Sequence, residues 1–247
     1  MLRVIRGLSV CRGGTGTLPW KNFRLCDYEF RSLAWGALKK SSRPEIPRKT
    51  IYRLSIYLRC LQRLKQNELQ TVSSEALARA AGVKPTQLRK DLTYFGQFGT
   101  RGLGYDVEQL ARMIGDLLGT SRLQPVVLVG AGNLGAALLQ YRGFEQEGFE
   151  IVAAFDLDPV RAREKSPKVT LLGMDKLGDF VRENLVRMAI VAVPAVCGQE
   201  VINELVENGV VGILNFAPIV PHVPENVMVN NVNLAIELEN LSYFIQD

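Results

Sequence analysis

The sequence predicts an α/β protein in two parts, a basic helix-turn-helix module followed by a parallel, doubly wound sheet. Three observations carry that reading. Residues 105–247 alternate short apolar, β-branched runs with helical patterns, as βαβ units do. A Gly130-Ala131-Gly132-Asn133-Leu134-Gly135 turn stands between the first of those runs and its helix. Charge divides the chain at the same place. Residues 1–104 hold 20 Lys and Arg against 6 Asp and Glu, net +14, and residues 105–247 hold 10 against 19, net −9. Two electrostatically opposite halves suggest a polyanion-binding module joined to an acidic one.

Residues 1–43 are basic, carry Gly13-Gly14 and isolated Trp20 and Trp35, and keep no sustained period. They predict a disordered extension and lack the apolar core of a signal peptide. No Met occurs between Met1 and Met113, so a natural start near Leu38, from a non-standard codon, is one reading.

A DNA-binding-type domain is expected over residues 44–105. Pro47 marks the approach to a helix in which Ile51, Leu54, Leu58 and Leu61 fall at helical spacing. Thr71-Val72-Ser73-Ser74-Glu75 reads as a helix start with Ser73 as N-cap, and that helix ends at Gly82. Pro85 suits the first turn of a third helix, Thr86 to Phe95, with Leu88 and Leu92 inward. Thr86, Gln87, Arg89 and Lys90 then offer donors to base edges or phosphates, as the second helix of a helix-turn-helix does. The glycine-rich stretch from Gly96 to Gly104 suits a hairpin wing presenting Arg101.

The second domain is expected over 106–232. A linking helix, Val107 to Leu118, leads to strands near 126–130, 151–156, 169–172, 188–193 and 210–214, then a last strand near Val227 to Val232. The segment 233–247 forms a final helix, apolar on more than one side: Leu234, Leu238, Leu241 and Ile245 on one stripe, Ile236, Tyr243 and Phe244 elsewhere. A surface helix shows a single stripe. Burial between two subunits accounts for this, and packing wholly on its own domain is the alternative.

The glycine turn points to a dinucleotide. In G-x-G-x-x-G the first glycine makes a tight turn, the second lets backbone approach a pyrophosphate, and the third packs helix on strand. N–H groups at the helix start face the phosphates. The next strand ends on Asp156, 21 residues beyond Gly135, where a carboxylate can accept hydrogen bonds from a ribose. A carboxylate there repels a 2′-phosphate, favouring NAD(H) over NADP(H). Arg161 and Arg163 weaken that preference slightly unless they are solvated helix charges. Val193-Pro194 and Asn215-Phe216-Ala217-Pro218 end strands on the carboxyl edge; Phe216 packs either near a nicotinamide or as a loop anchor.

These motifs together resemble the Rex family of bacterial redox-sensing transcriptional repressors. The residues that carry the resemblance are Arg89-Lys90-Asp91-Leu92-Thr93-Tyr94-Phe95-Gly96, the run Gly99-Thr100-Arg101-Gly102-Leu103-Gly104-Tyr105, the dinucleotide fingerprint and Ile213-Leu214-Asn215-Phe216-Ala217-Pro218. It spans roughly Glu45 to Asp247. The resemblance implies a winged helix, a Rossmann domain taking NADH and NAD+, and a homodimer with exchanged C-terminal helices, bound to an inverted-repeat operator. It also implies a redox-dependent polar contact among Arg59, Tyr105 and the position of Asn233, where the family carries an aspartate. Tyr105 would then lie near the cofactor as well.

Rival readings are an NAD-dependent oxidoreductase and a CoA-binding ligase subunit. The first needs a positioned acid or base, and the single His222 sits in the turn Pro221-His222-Val223-Pro224. The second does not need a basic N-terminal half. Cys11, Cys26, Cys60 and Cys197 show no metal-ligand spacing, and no apolar run reaches the ~18 residues that span a membrane. The expectation is a cytoplasmic DNA-binding regulator with no catalytic residues, metal or membrane partner.

Overall fold

One apolar stripe on the first helix organises the N-terminal core. The computed structural model describes residues 46–96, 99, 103–160 and 169–245. The extension 1–43, the wing tip with Arg101, and Arg161 and Arg163 lie outside them. Helix α1 (Arg48–Gln66) buries Thr50, Leu54, Tyr57, Leu58 and Leu61. Thr71-Val72, just ahead of the expected Ser73 cap, forms a short strand, β1 (Thr71–Val72). Ser73 does cap α2 (Ser74–Ala80), its hydroxyl accepting from the Ala76 N–H at 3.1 Å. Gly82, at φ +68°, then turns the chain into α3 (Pro85–Thr93), which has Pro85 in its first turn.

The base of the wing is an antiparallel pairing of β1 with β2 (Tyr105–Asp106), which sets Val72 opposite Tyr105. Gly104 is required there. Its φ is +88°, and a Cβ would lie 2.4 Å from the Val72 carbonyl oxygen. Asp106 caps α4 (Val107–Leu118) through the Gln109 N–H at 2.7 Å. This helix corrects the boundary expected at 105/106. Val107, Leu110 and Ile114 pack with Leu54, Tyr57, Leu61, Leu77 and Leu88 in one cluster, so α4 completes the winged-helix core. A stripe at helical spacing needs a facing stripe, and α1 supplies it. The module ends at Gly119, a left-handed C-cap at φ 73°.

The second module is a six-stranded, wholly parallel sheet. Its strands are β3 (Gln124–Val129), β4 (Phe149–Asp156), β5 (Leu171–Gly173), β6 (Met188–Val191), β7 (Gly212–Asn215) and β8 (Met228–Asn231). They run in space as β5-β4-β3-β6-β7-β8. The order reverses between β3 and β6, and a crevice opens at the carboxyl ends at such a switch point. Helices α5 (Asn133–Gln140) and α6 (Gly143–Gln146) connect β3 to β4. Helix α7 (Leu177–Glu183) precedes β6, and α8 (Ala195–Glu207) follows it.

Alternation along β3 divides the core between the two sheet faces. Val127 and Val129 join Leu177 and Val181 of α7 and Ile202 and Leu205 of α8. Val126 and Leu128 point the other way, to a cluster that includes Leu138 and Leu139 of α5 and Phe144 of α6. The last helix, α9 (Leu234–Phe244), buries no residue at all. Leu238 is 67% exposed and Phe244 81%.

Candidate dinucleotide and DNA-binding sites

The three glycines of the turn differ in what surrounds them, and each difference matches a separate task. Gly130 follows β3 at φ +93°, and a Cβ on it would lie 2.5 Å from the Ala192 carbonyl oxygen. Gly135 packs α5 onto the turn so closely that a Cβ would stand 1.9 Å from the Gly130 oxygen. Gly132 has nothing within 4 Å of the space a Cβ would take. That open side, at the N-terminus of α5, is where a pyrophosphate can approach backbone N–H groups.

Asp156 closes the crevice from the end of β4. Its Oδ2 accepts from the Ala131 N–H at 2.6 Å, and its Oδ1 accepts from the Asp158 N–H at 3.0 Å. The carboxylate thus stands beside the glycine turn. Each oxygen has a further lone pair that can accept from a ribose hydroxyl. Ala131 is buried, whereas Asn133 and Leu134 face outward from the first turn of α5. These residues fit an NAD-type dinucleotide: an open glycine cradle, helix-terminal donors and a ribose-height carboxylate.

Across the switch point, Pro194 caps α8 and Val193 is half-buried. The loop after β7 is held by Asn215, which is wholly buried. Its side-chain amide donates to the carbonyls of Ala217 and Ile219 and to Asn231 Oδ1, and its Oδ1 accepts from the Ala217 N–H at 3.0 Å. Both the donor and the acceptor end of that amide are engaged, so the loop backbone is fixed. Phe216 is partly buried against the cluster that holds Val126, Leu128 and Ile190, and its N–H donates to the Val191 carbonyl.

In the winged-helix module, Thr86, Arg89 and Lys90 are exposed on α3. Arg89 is steadied by Ser74 Oγ at 2.8 Å and Glu75 Oε1 at 3.4 Å. Gln87, predicted to face outward, turns inward instead: its Nε2 donates to Asp91 Oδ1 at 2.9 Å. Asp91 is completely buried. It accepts from Arg53 Nε at 2.6 Å, from a second Arg53 nitrogen at 2.7 Å, from Tyr57 Oη at 2.8 Å and from Thr50 Oγ1 at 3.3 Å. A carboxylate at that depth draws Gln87 away from solvent because an unsatisfied buried charge is costly. Burial pushes the Asp91 carboxyl up. The hydrogen bonds from Arg53, Tyr57 and Gln87 outweigh it and leave the group below its ordinary range.

The three residues expected to make a redox contact each have a different neighbour. Tyr105 is buried in the winged-helix core, where burial raises its phenol. Its ring pairs across the wing base because an aromatic at that register fills the core. Asn233 caps α9, its Oδ1 accepting from the Ala235 N–H at 3.0 Å and the Ile236 N–H at 3.4 Å. Arg59 lies 3.3 Å from Glu147 Oε1, just past α6. Both line a pocket of about 380 Å³ with Tyr141 and Phe144, over an apolar floor that includes Ile151, Met188 and Leu214. Tyr141 and Glu147 belong to no motif, and only their place in the fold reveals them.

Comparison with known proteins agrees with both modules. A family model described as "Putative DNA-binding protein N-terminus" matches residues 45–93, and one described as "CoA binding domain" matches residues 121–219. The redox-sensing transcriptional repressor Rex of Carboxydothermus hydrogenoformans is 48% identical over 202 residues, which is 82% of this chain and 97% of that protein. The Streptomyces coelicolor Rex is 46% identical over 81% of this chain and 78% of its own length. The chain belongs to the Rex family. Both of these relatives are redox-sensing transcriptional repressors. The structure of RSP with β-NAD+ and operator DNA is similar at 34% identity and TM-score 0.76, covering 81% of this chain and 92% of that one. RSP with β-NADH, at 33% identity, covers 81% and 94% with TM-score 0.72. Among the described residues no cluster of His, Cys, Asp or Glu could hold a metal, and no helix is long and apolar enough to cross a membrane.

Proposed function

We propose that this chain, acting in the cytoplasm as a homodimer, represses transcription from an inverted-repeat operator and lets go when NADH occupies the crevice at Gly130–Gly135. The carrying observation is the combination in one chain of an exposed, basic α3 with an open glycine cradle closed by Asp156. RSP, the structural relative, has been solved with β-NADH and with β-NAD+ plus operator DNA, which supports the same pair of ligands here. The dinucleotide supplies a nicotinamide whose oxidation state is the signal.

Ala131, Gly132, Asn133 and Leu134 hold the pyrophosphate side, Asp156 the ribose, and Val193, Pro194, Phe216 and Ala217 the carboxyl edge. Thr86, Arg89, Lys90 and Arg101 serve DNA, the first three from α3. We assign 46–118 to the DNA module and 119–232 to the dinucleotide module. Dimerisation falls to α9: an apolar helix that buries nothing on its own chain and the apolar floor at Ile151, Met188 and Leu214 suit exchange between two copies. Two-fold symmetry then places two α3 helices about one DNA turn apart.

The deciding experiment is an operator mobility shift with and without NADH. A coupling in the usual allosteric range predicts a roughly 5- to 150-fold loss of operator affinity. NAD+ should do much less. Unchanged affinity at saturating NADH would refute the sensor reading even if both ligands bind. Truncation before Leu234 should give monomer or aggregate in sedimentation, and a repressing dimer would rule out the exchange.

A further inference from the structure

We propose that Glu147 is the intrachain counter-ion of Arg59 and that the pair latches α1 to the dinucleotide module. The apolar cores of the two modules share no residue: one gathers α1 to α4, and the others gather the sheet and its helices. Among the described residues, the remaining ion pairs each lie within one module. Arg59 to Glu147 is the one that crosses.

Its setting makes it more than a surface contact. Glu147 is half-buried, 31% exposed, at the C-terminal end of α6, while Arg59 projects from α1 at 63%. Both side chains border the pocket that Tyr141 and Phe144 also line, so whatever enters it meets the pair. The charge asymmetry of the two halves favours the contact. Asn233 cannot replace Glu147, because it carries no charge and its oxygen is committed to capping α9.

With no shared apolar core, a modest electrostatic contribution is enough to bias how the modules sit. The arrangement here superposes better on RSP with β-NAD+ and operator DNA, TM-score 0.76, than on RSP with β-NADH, 0.72. On this proposal the latch belongs to the operator-binding arrangement. Its consequence for regulation rests on the repressor reading above, whereas the pair itself does not.

A double-mutant cycle on the full chain tests it, reading operator affinity by fluorescence anisotropy with no nucleotide present. Glu147→Gln and Arg59→Gln should each weaken operator binding about 1.4- to 5-fold, the range of a partly exposed pair. The double variant should be no weaker than either single, and the swapped pair Arg59→Glu with Glu147→Arg should recover most of the loss. Glu147→Gln at wild-type affinity, or single effects that multiply in the double variant, would overturn the latch. Because the cycle needs no NADH, a wild type that ignores NADH would defeat the sensor reading alone.

Discussion

The winged-helix core and the dinucleotide crevice position their working parts by opposite means. In the first, a buried carboxylate gathers side chains: Asp91 draws Arg53, Tyr57, Thr50 and Gln87 together and fixes α3 against α1. In the second, backbone does the positioning, through glycines whose missing Cβ atoms leave room for neighbouring carbonyls and, at Gly132, for a ligand. One arrangement depends on charge, the other on shape. They should fail under different insults.

The largest expected effect is in the charged knot. Asp91→Ala leaves Arg53 and Tyr57 without their acceptor and should cost about 3–5 kcal/mol in chemical denaturation, with loss of operator binding. The dependence on pH has a definite sign. Because the folded Asp91 carboxyl lies below its ordinary range, its contribution is complete above the unfolded value of about 3.9 and is lost as pH falls through the folded one. Acid unfolding of Asp91→Asn should lack that component.

Next comes Asp156→Ala. Loss of charge-assisted hydrogen bonds to ribose should cost about 1.5–3 kcal/mol, at least tenfold in NADH affinity by calorimetry, and narrow the gap to NADPH. Stability should hardly change, which would separate it from Asp91. Equal wild-type affinity for NADH and NADPH would contradict the role given to Asp156.

Glycines sharpen the contrast within the crevice. Gly135→Ala forces a Cβ onto the Gly130 oxygen and should lower thermal stability by about 1–3 kcal/mol, the cost of overpacking. Gly132→Ala meets nothing, so it should melt like the wild type yet bind NADH more weakly. The smallest effect is at the α2 cap, where Ser73→Ala should cost about 1 kcal/mol by removing the acceptor for the Ala76 N–H.

The crevice was legible in the sequence because it is local. Six consecutive residues and one acid at a fixed spacing define it. Ser73 and Pro85 were legible for the same reason, since caps and first turns depend on neighbours. What escaped depends on contacts between distant segments. Gln87 faces outward on a helical wheel, yet Asp91, one turn on, turns it inward because Arg53 and Tyr57 bring the carboxylate's charge into the core. Tyr105 stands beside a motif but packs with Val72. Glu147 gains meaning only when α6 meets α1, a pairing no periodicity encodes. The α4 boundary was missed because a stripe announces burial without naming its partner.

The bare α9 has a consequence for inheritance. On the proposed exchange, each repressor molecule carries helices from two translation events, so mixed populations of chains combine at random. A gene copy with a damaged α3 but intact α9 would form hybrids with one working reading head and repress poorly. Such alleles should be dominant over the wild type. Alleles that lose α9 should be recessive, because their products cannot enter the assembly.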